Sequence, residues 1–244
     1  MPTTVTVPIA PDNKPINKPK SAPQKAMEKL GLRRDIDLAL HLPLRYEDET
    51  SLTAIASLRD GESAQVEGTV SHSEVQLRGR RQLVARIADV AGNELVLRFL
   101  HFFPSHQKAL REGHRVRVRG EVRGGFFGLE MVHPTFKVVE LGAPLAAALT
   151  PVYPSSAALP QAYLRRAVAS GLQRADLSEV IPPAMLPPGM STLREALHFL
   201  HQPAADVAMN TLEDHSHPAW QRLKFEELLA QQLSQLQEIG RAHV

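Results

Sequence analysis

The residues best suited to chemistry lie in one stretch, 114–134, where arginine alternates with valine. Arginine occupies every second position from Arg115 to Arg119 and returns at Arg123. Because side chains alternate along a strand, this spacing places the arginines on one face and the valines on the other. A row of cations can bind the phosphates of a nucleic acid, although charged strand faces are often only hydrated.

Two aromatic residues follow the arginine row. Gly124 and Gly125 predict a tight turn, and Phe126 and Phe127 open the next strand. Aromatic rings can stack on unpaired bases, so the rings and the arginines together predict a β-structure that binds nucleic acid.

Composition narrows the class of protein. The 244 residues carry a net charge of +2, no cysteine and 43% hydrophobic residues, enough for one large domain or two modest ones. The lack of cysteine excludes disulfides, thiolate metal sites and a cysteine nucleophile. We find no signal peptide and no apolar run of membrane-spanning length, and we therefore predict a cytoplasmic location without a membrane partner.

The centre of the chain is rich in β-patterns. Five strands are predicted near 62–74, 81–90, 94–103, 114–123 and 126–139, with a short helix over 104–111 between the third and the fourth. This is the element order of an OB-fold. We therefore predict an α+β chain, with a central five-stranded OB-fold β-barrel flanked by N-terminal short helices and a C-terminal helical segment.

The domain organisation follows from shifts in composition. We predict a disordered Pro/Lys-rich tail over 1–23, helices and an extended linker over 24–60, the OB-fold over 61–140 and a helical region over 141–238. Gly31 should separate two short helices in the second of these. Helices are expected near 160–174, 191–201 and 218–238, and Thr192 and Glu195 have the spacing of a capping box.

Motifs of catalysis are absent from the sequence. It contains no phosphate loop of the form Gly-x-x-x-x-Gly-Lys-Ser/Thr and no Gly-x-Ser-x-Gly elbow. The carboxylates of 47–49 could hold magnesium, and His198 and His201 could share a metal, but neither group has a full ligand set. We predict no catalytic residue, no metal and no cofactor in this chain, and a metal-dependent enzyme is the least favoured class.

Three segments together resemble the N-terminal part of RecG, a family of bacterial ATP-dependent DNA helicases that remodel stalled replication forks. They are His41–Glu49 (HLPLRYEDE), Gly120–Pro134 (GEVRGGFFGLEMVHP) and Arg222–Leu229 (RLKFEELL), and Leu149–Pro154 (LTPVYP) is also similar. The resemblance extends over residues 25–238. It implies that the OB-fold is the wedge domain, which splits duplex arms at a branch point and holds unpaired bases on aromatic side chains.

The resemblance also implies site residues on the third strand. The segment 98–102 (RFLHF) matches an aromatic segment of the family, which often has a second aromatic residue and an asparagine in place of Leu100 and His101. Phe99 shares strand parity with Leu95 and Leu97, so the core is the alternative position for its ring. With the arginines of the loops that flank an OB groove, the candidate DNA-binding residues are Arg78, Arg80, Arg81, Arg98, Phe99, Phe102, Arg123, Phe126 and Phe127.

By this resemblance, the parent protein acts on branched DNA, such as stalled forks and Holliday junctions, in DNA repair and recombination. The family's motor domains supply the ATP and Mg²⁺ site, and we expect this chain to lack them, to be inactive alone and to dock them through 218–238. We expect 239–244 (IGRAHV) to be non-native read-through, because it equals the translation of a common sequencing adapter. The alternative function is a stand-alone OB-fold protein that binds single-stranded DNA or RNA.

Overall fold

The structure, a computed structural model, describes residues 21–78, 80–125 and 128–242. Its strands are β1 Arg45–Glu47, β2 Ser63–Arg78, β3 Arg80–Ala88, β4 Glu94–Phe99, β5 Arg115–Gly125, β6 Gly128–Val132, β7 Thr135–Val138 and β8 Thr150–Val152. Its helices are α1 Ala22–Lys29, α2 Asp35–Ala39, α3 Pro104–Ala109, α4 Gln161–Arg174, α5 Leu193–His201, α6 Met209–Glu213 and α7 Pro218–Ala242. Over these ranges, no helix combines the length and the apolar character that a membrane crossing requires.

Strands β2 to β6 close into a barrel. β2 pairs antiparallel with both β3 and β5, β3 pairs antiparallel with β4, and β5 with β6. The ring is completed by the parallel pairing of β4 with β6, which joins 96–98 to 130–132. This connectivity, with α3 between β4 and β5, is that of an OB-fold. The predicted barrel is thus confirmed.

The fifth predicted strand is divided into two. β6 ends at Val132, His133 adopts a left-handed backbone with a φ of 51°, and β7 begins at Thr135. Pro134 cannot donate a ladder hydrogen bond, so the strand bends at this point. Both halves stay paired with β5, and the barrel remains closed.

Alternate residues of the strands fill the barrel. The most deeply buried are Val66, Val70, Leu83, Ala85, Ile87, Leu95, Leu97, Phe99, Val116, Val118, Val122 and Met131. The valines of β5 therefore face inward, as their spacing predicted. The arginines between them must project from the outer face.

The segment predicted as an extended linker is part of the fold. β1 pairs antiparallel with β8 in a small sheet, and a turn of 3-10 helix forms at Ile55–Ser57. Ile55 and Leu58 enter the barrel core. Strands of three residues carry too few alternations to be detected in a sequence, which is why this pairing was not predicted.

The chain forms two compact units. One combines the described part of Met1–His41 with Pro154–Asp176 and holds α1, α2 and α4. Gly31, with a φ of 81°, separates α1 from α2, as predicted. α1 begins at Ala22, inside the predicted tail, and residues 1–20 lie outside the described residues.

The other unit combines Leu42–Tyr153 with Leu177–Val244 and contains the barrel and the C-terminal helices. The predicted capping box starts α5, because Thr192 Oγ1 accepts a hydrogen bond from the Glu195 N–H at 3.2 Å. Arg222 of α7 is fully buried and pairs with Glu179 and Glu226 at 2.8 and 2.7 Å. The RLKFEELL motif thus anchors α7, which continues to Ala242, beyond its predicted end.

Candidate nucleic-acid interface

The arginines of β5 lie outside the barrel, but a carboxylate holds two of them. Glu67 of β2 accepts hydrogen bonds from Arg115 Nε at 2.6 Å and from Arg117 Nη2 at 2.8 Å. Arg117 also donates to the main-chain oxygens of Ala143 and Pro144, at 2.7 and 2.9 Å. Since the Arg117 side chain is buried, it has no open path to a phosphate.

The same outer face of β2 and β5 is covered by neighbouring chain. Arg119 forms an ion pair with Glu47 of β1. Gln65 of β2 donates to the main-chain oxygens of Glu49 and Ser51, at 3.2 and 2.9 Å. We therefore assign Arg117 and Arg119 to the stability of the fold. Most arginines of the row that suggested a nucleic-acid surface are thus engaged in ion pairs within the chain.

The charge of Glu67 is stabilised by these contacts. Burial on its own would raise the pKa of Glu67, but hydrogen bonds from Arg115 and Arg117 outweigh it and hold this pKa below its usual value. Glu67 is therefore ionised at neutral pH and neutralises the local excess of arginine.

Phe99 belongs to the barrel core. Its ring is only 2% exposed and packs edge-on against Phe136, with 5.5 Å between ring centroids. Phe99 has the inward parity of Leu97, and this alternative position is the one that the structure supports. We therefore correct the candidate list, because a ring so deeply buried cannot stack on a base.

An exposed cation lies over one ring near the start of β3, and a second ring is exposed at the next residue. The guanidinium carbon of Arg81 lies 5.0 Å from the centre of the Phe102 ring, in a cation–π contact. Phe102 is half-buried against the barrel core, whereas Phe103 is 69% exposed. Leu77, which lies opposite Arg81 in the β2–β3 register, is also exposed. This set, Leu77, Arg81, Phe102 and Phe103, is called the barrel edge below.

Local sequence explains the extended backbone of Phe103. Pro104 occupies the first turn of α3, where its missing N–H costs no helical hydrogen bond. A residue before proline is restricted to extended conformations, and Phe103 has a φ of −106° and a ψ of 161°. Sequence reasoning left Phe103 off the candidate list, and the Phe-Pro pair indicates only an extended residue before a helix.

Imidazole rings extend this end of the barrel. His101 and His133 are exposed and stack with 6.0 Å between their centroids. His133 Nε2 accepts a hydrogen bond from the Leu100 N–H at 3.2 Å, which fixes the ring.

The two loops that flank the groove are described in part. Arg123 is exposed and pairs with Glu121 at 3.1 Å, and the hydrogen bonds that Arg123 donates to Glu121 raise the pKa of Arg123. Arg78 and Arg80 are backbone partners at the tip of the β2–β3 hairpin. The side chains of Arg78 and Arg80, and all of Phe126 and Phe127, lie outside the described residues.

The candidate metal ligands have structural partners. Glu47 pairs with Arg119, Asp48 accepts hydrogen bonds from Thr50, and Glu49 accepts one from the Thr150 hydroxyl at 3.2 Å. Within 21–78, 80–125 and 128–242, no three such side chains form a group that could hold a metal ion.

The closed barrel and its intervening helix define an OB-fold protein of the α+β class. Residues 15–174 match the family described as the RecG wedge domain, and the chain belongs to that family.

Curated relatives carry the same family name. The ATP-dependent DNA helicase RecG of Escherichia coli strain K12 is 42% identical over 215 residues, which cover 86% of this chain and 31% of that protein. The protein of that name from Pasteurella multocida is 38% identical over 211 residues, or 84% of this chain and 30% of that protein. This chain thus spans about a third of the length of the relatives it matches.

A solved structure supports the fold. The structure described as RecG bound to a three-way DNA junction matches 95% of this chain and 31% of that chain, with a TM-score of 0.65 and 22% sequence identity. At this identity the likeness concerns the fold alone.

Proposed function

We propose that this chain is the DNA-binding wedge region of a RecG-type ATP-dependent DNA helicase, and that it binds branched or single-stranded DNA. The observation that carries the proposal is the barrel edge, where exposed Arg81 lies over Phe102 beside exposed Phe103. The family supports it, since the curated relatives are named as DNA helicases, and a structural neighbour is described as RecG bound to a three-way DNA junction.

The cation and the two rings of the barrel edge have different physical roles in this proposal. Arg81, with Arg78, Arg80 and Arg123 on the flanking loops, would contact phosphates at a branch point. The rings of Phe102 and Phe103 would stack on bases that become unpaired there, and such stacking tolerates any base. The site would thus recognise the shape of a fork rather than its sequence.

We further propose that α7 docks the helicase motor of the parent protein. Beyond Leu229 the described residues of α7 are exposed, and Leu228, Leu233 and Leu236 each expose more than half of their surface. Exposed apolar residues that line one helix are typical of an interaction surface. On this proposal, 141–238 connects the wedge to the motor, ATP and Mg²⁺ bind to the motor, and the whole protein acts in the cytoplasm.

The test is binding of fluorescently labelled DNA to the purified chain, followed by anisotropy. A model fork, a linear single strand and a blunt duplex are compared over a range of salt concentrations. We expect the fork to bind best, and each lost phosphate contact to lower the salt slope by about 0.9 on duplex arms. Arg80→Ala with Arg81→Ala should therefore weaken binding and flatten the slope.

Arg194→Ala provides a matched control, since Arg194 is exposed on α5 of the same unit. Equal effects of the Arg81 and Arg194 changes would contradict a DNA site at the barrel edge. A preference for the linear strand over the fork would instead favour the stand-alone OB-fold alternative.

A further inference from the structure

The hairpin of β5 and β6, which carries Phe126 and Phe127 between its strands, is held by carboxylates on two sides. Asp60 Oδ1 accepts a hydrogen bond from the Gly124 N–H at 2.8 Å. On the other side Glu130 packs on Gly125 so closely that a Cβ at Gly125 would lie 2.8 Å from Glu130 Cδ. A methyl group at 125 would therefore require the end of the Glu130 side chain to move.

Hydrogen bonds from Arg98 fix the position of the Glu130 carboxylate. Arg98 of β4 donates to Glu130 Oε2 from Nε at 3.1 Å and from Nη2 at 2.7 Å. The Arg98 Nη1 also donates to Gln82 Oε1 of β3 at 3.3 Å. Since Arg98 and Glu130 are 21% and 17% exposed, Arg98 acts as a support for Glu130 rather than as a free cation.

The turn that carries Asp60 is docked on β5 by main-chain hydrogen bonds. The Gly61 N–H donates to Val122 O, and the Val122 N–H donates to Glu62 O, both at 2.8 Å. These hydrogen bonds fix the backbone next to Asp60, so the Asp60 carboxylate is held close to the Gly124 N–H. This contact lies beside the turn of the hairpin, one residue from Arg123.

We infer that Asp60, Glu130 and Arg98 are positioning residues that preorganise the β5–β6 hairpin for DNA. The inference rests on the proposed function. A Gly-Gly backbone has many accessible conformations, and holding it in one of them removes an ordering cost from binding. Asp60 and Glu130 thereby favour the binding of a polyanion although both are negative.

This inference and simple electrostatics predict opposite changes in DNA affinity when the Asp60 carboxylate is removed. A carboxylate near DNA repels phosphates, so its removal should strengthen binding if charge alone matters. If Asp60 instead holds the hairpin, its removal should weaken binding. Asparagine separates the two effects, because its side-chain oxygen can still accept the Gly124 hydrogen bond while the charge is lost.

The experiment compares Asp60→Ala with Asp60→Asn in fork binding by anisotropy. We expect Asp60→Ala to weaken binding about three- to tenfold, as a lost anchoring hydrogen bond would, and Asp60→Asn to bind as well as the unmodified chain or better. Glu121→Gln is the matched control, since Glu121 is an exposed carboxylate of the same hairpin that pairs with Arg123. It should not weaken binding. Tighter binding by both Asp60 variants would overturn the inference.

A second pair of variants tests Glu130 directly. Glu130→Ala should weaken fork binding, because it removes the side chain that packs on Gly125, and Glu130→Gln, which keeps a side chain of the same length there, should weaken binding less. Fork binding by Glu130→Ala equal to that of the unmodified chain would contradict the role of Glu130. Thermal melting of each variant confirms that the barrel is folded.

Amide hydrogen exchange at Gly124 separates this inference from the proposed function. In Asp60→Ala we expect the Gly124 amide to exchange about tenfold faster or more, with the Val118 amide of the same strand unchanged. If the unmodified chain binds no DNA, the proposed function fails, while the exchange rate still shows whether Asp60 holds the hairpin. Unchanged exchange at Gly124 would refute the positioning role itself.

Discussion

Arg117 of β5 and Glu67 of β2 form a buried ion pair on the outer face of the barrel, with Nη2 and Oε2 2.8 Å apart. Their side chains are 3% and 6% exposed. The other donors of Arg117 are satisfied by the main-chain oxygens of Ala143 and Pro144. This pair therefore ties the chain that leaves the barrel to the two strands beneath it.

Breaking this pair should destabilise the unit strongly. Arg117→Met leaves Glu67 buried and short of one partner, which we expect to lower the free energy of unfolding by about 3–5 kcal/mol. Urea denaturation measures the loss. Arg123→Met is the control, because its pair with Glu121 is exposed, and exposed pairs contribute about 0–1 kcal/mol. Similar losses in both variants would contradict the structural role of Arg117.

The same carboxylate should make stability depend on pH. The pKa of Glu67 is held below its usual value of 4.5 by Arg115 and Arg117, against the effect of burial. A group with a lowered pKa in the folded state stabilises the fold above its unfolded pKa and loses that effect as pH falls through its folded pKa. We expect the free energy of unfolding to fall below about pH 4.5. The fall should be shallower in Glu67→Gln, and equal slopes in the two proteins would count against the lowered pKa.

Phe99 and Phe103 should give opposite results when replaced by alanine. Phe99→Ala empties part of the barrel core, and we expect a loss of about 3–5 kcal/mol in unfolding free energy. Phe103→Ala should change stability by no more than about 0.5 kcal/mol, because its ring is exposed. Fork binding of the folded protein should instead weaken in Phe103→Ala, by about 1–3 kcal/mol for a lost stack. Denaturation and anisotropy on both variants decide between a core ring and a stacking ring.

The exposed leucines of α7 should promote self-association. We expect Leu233→Gln combined with Leu236→Gln to shift the protein toward monomer in sedimentation velocity, with an unchanged melting temperature, because both side chains face solvent. Leu212→Gln is the contrasting variant, since Leu212 is buried on α6, and it should lower the melting temperature. An α7 variant that melts early would show that its leucines pack inside the unit.

The elements that the sequence predicts correctly are those encoded by neighbouring residues. The alternation of Arg115–Arg119 places Val116 and Val118 in the core, and Thr192 with Glu195 starts α5. Both signals act over a few residues of chain, so local spacing suffices. The same alternation indicates an outward arginine face, but it carries no information on what lies against that face.

Tertiary structure alone decides which cations are available. Glu67 reaches Arg117 from another strand, Glu47 reaches Arg119 from the β1–β8 sheet, and Glu130 binds Arg98. These partners are remote in sequence and meet only when the barrel closes, and a buried charge must then be paired to remain charged. Sequence periodicity by itself therefore determined a β-barrel with an arginine-bearing face. In the folded chain, most arginines of that face form ion pairs with glutamates of other strands. Arg81 remains exposed at the barrel edge, next to Phe102 and Phe103.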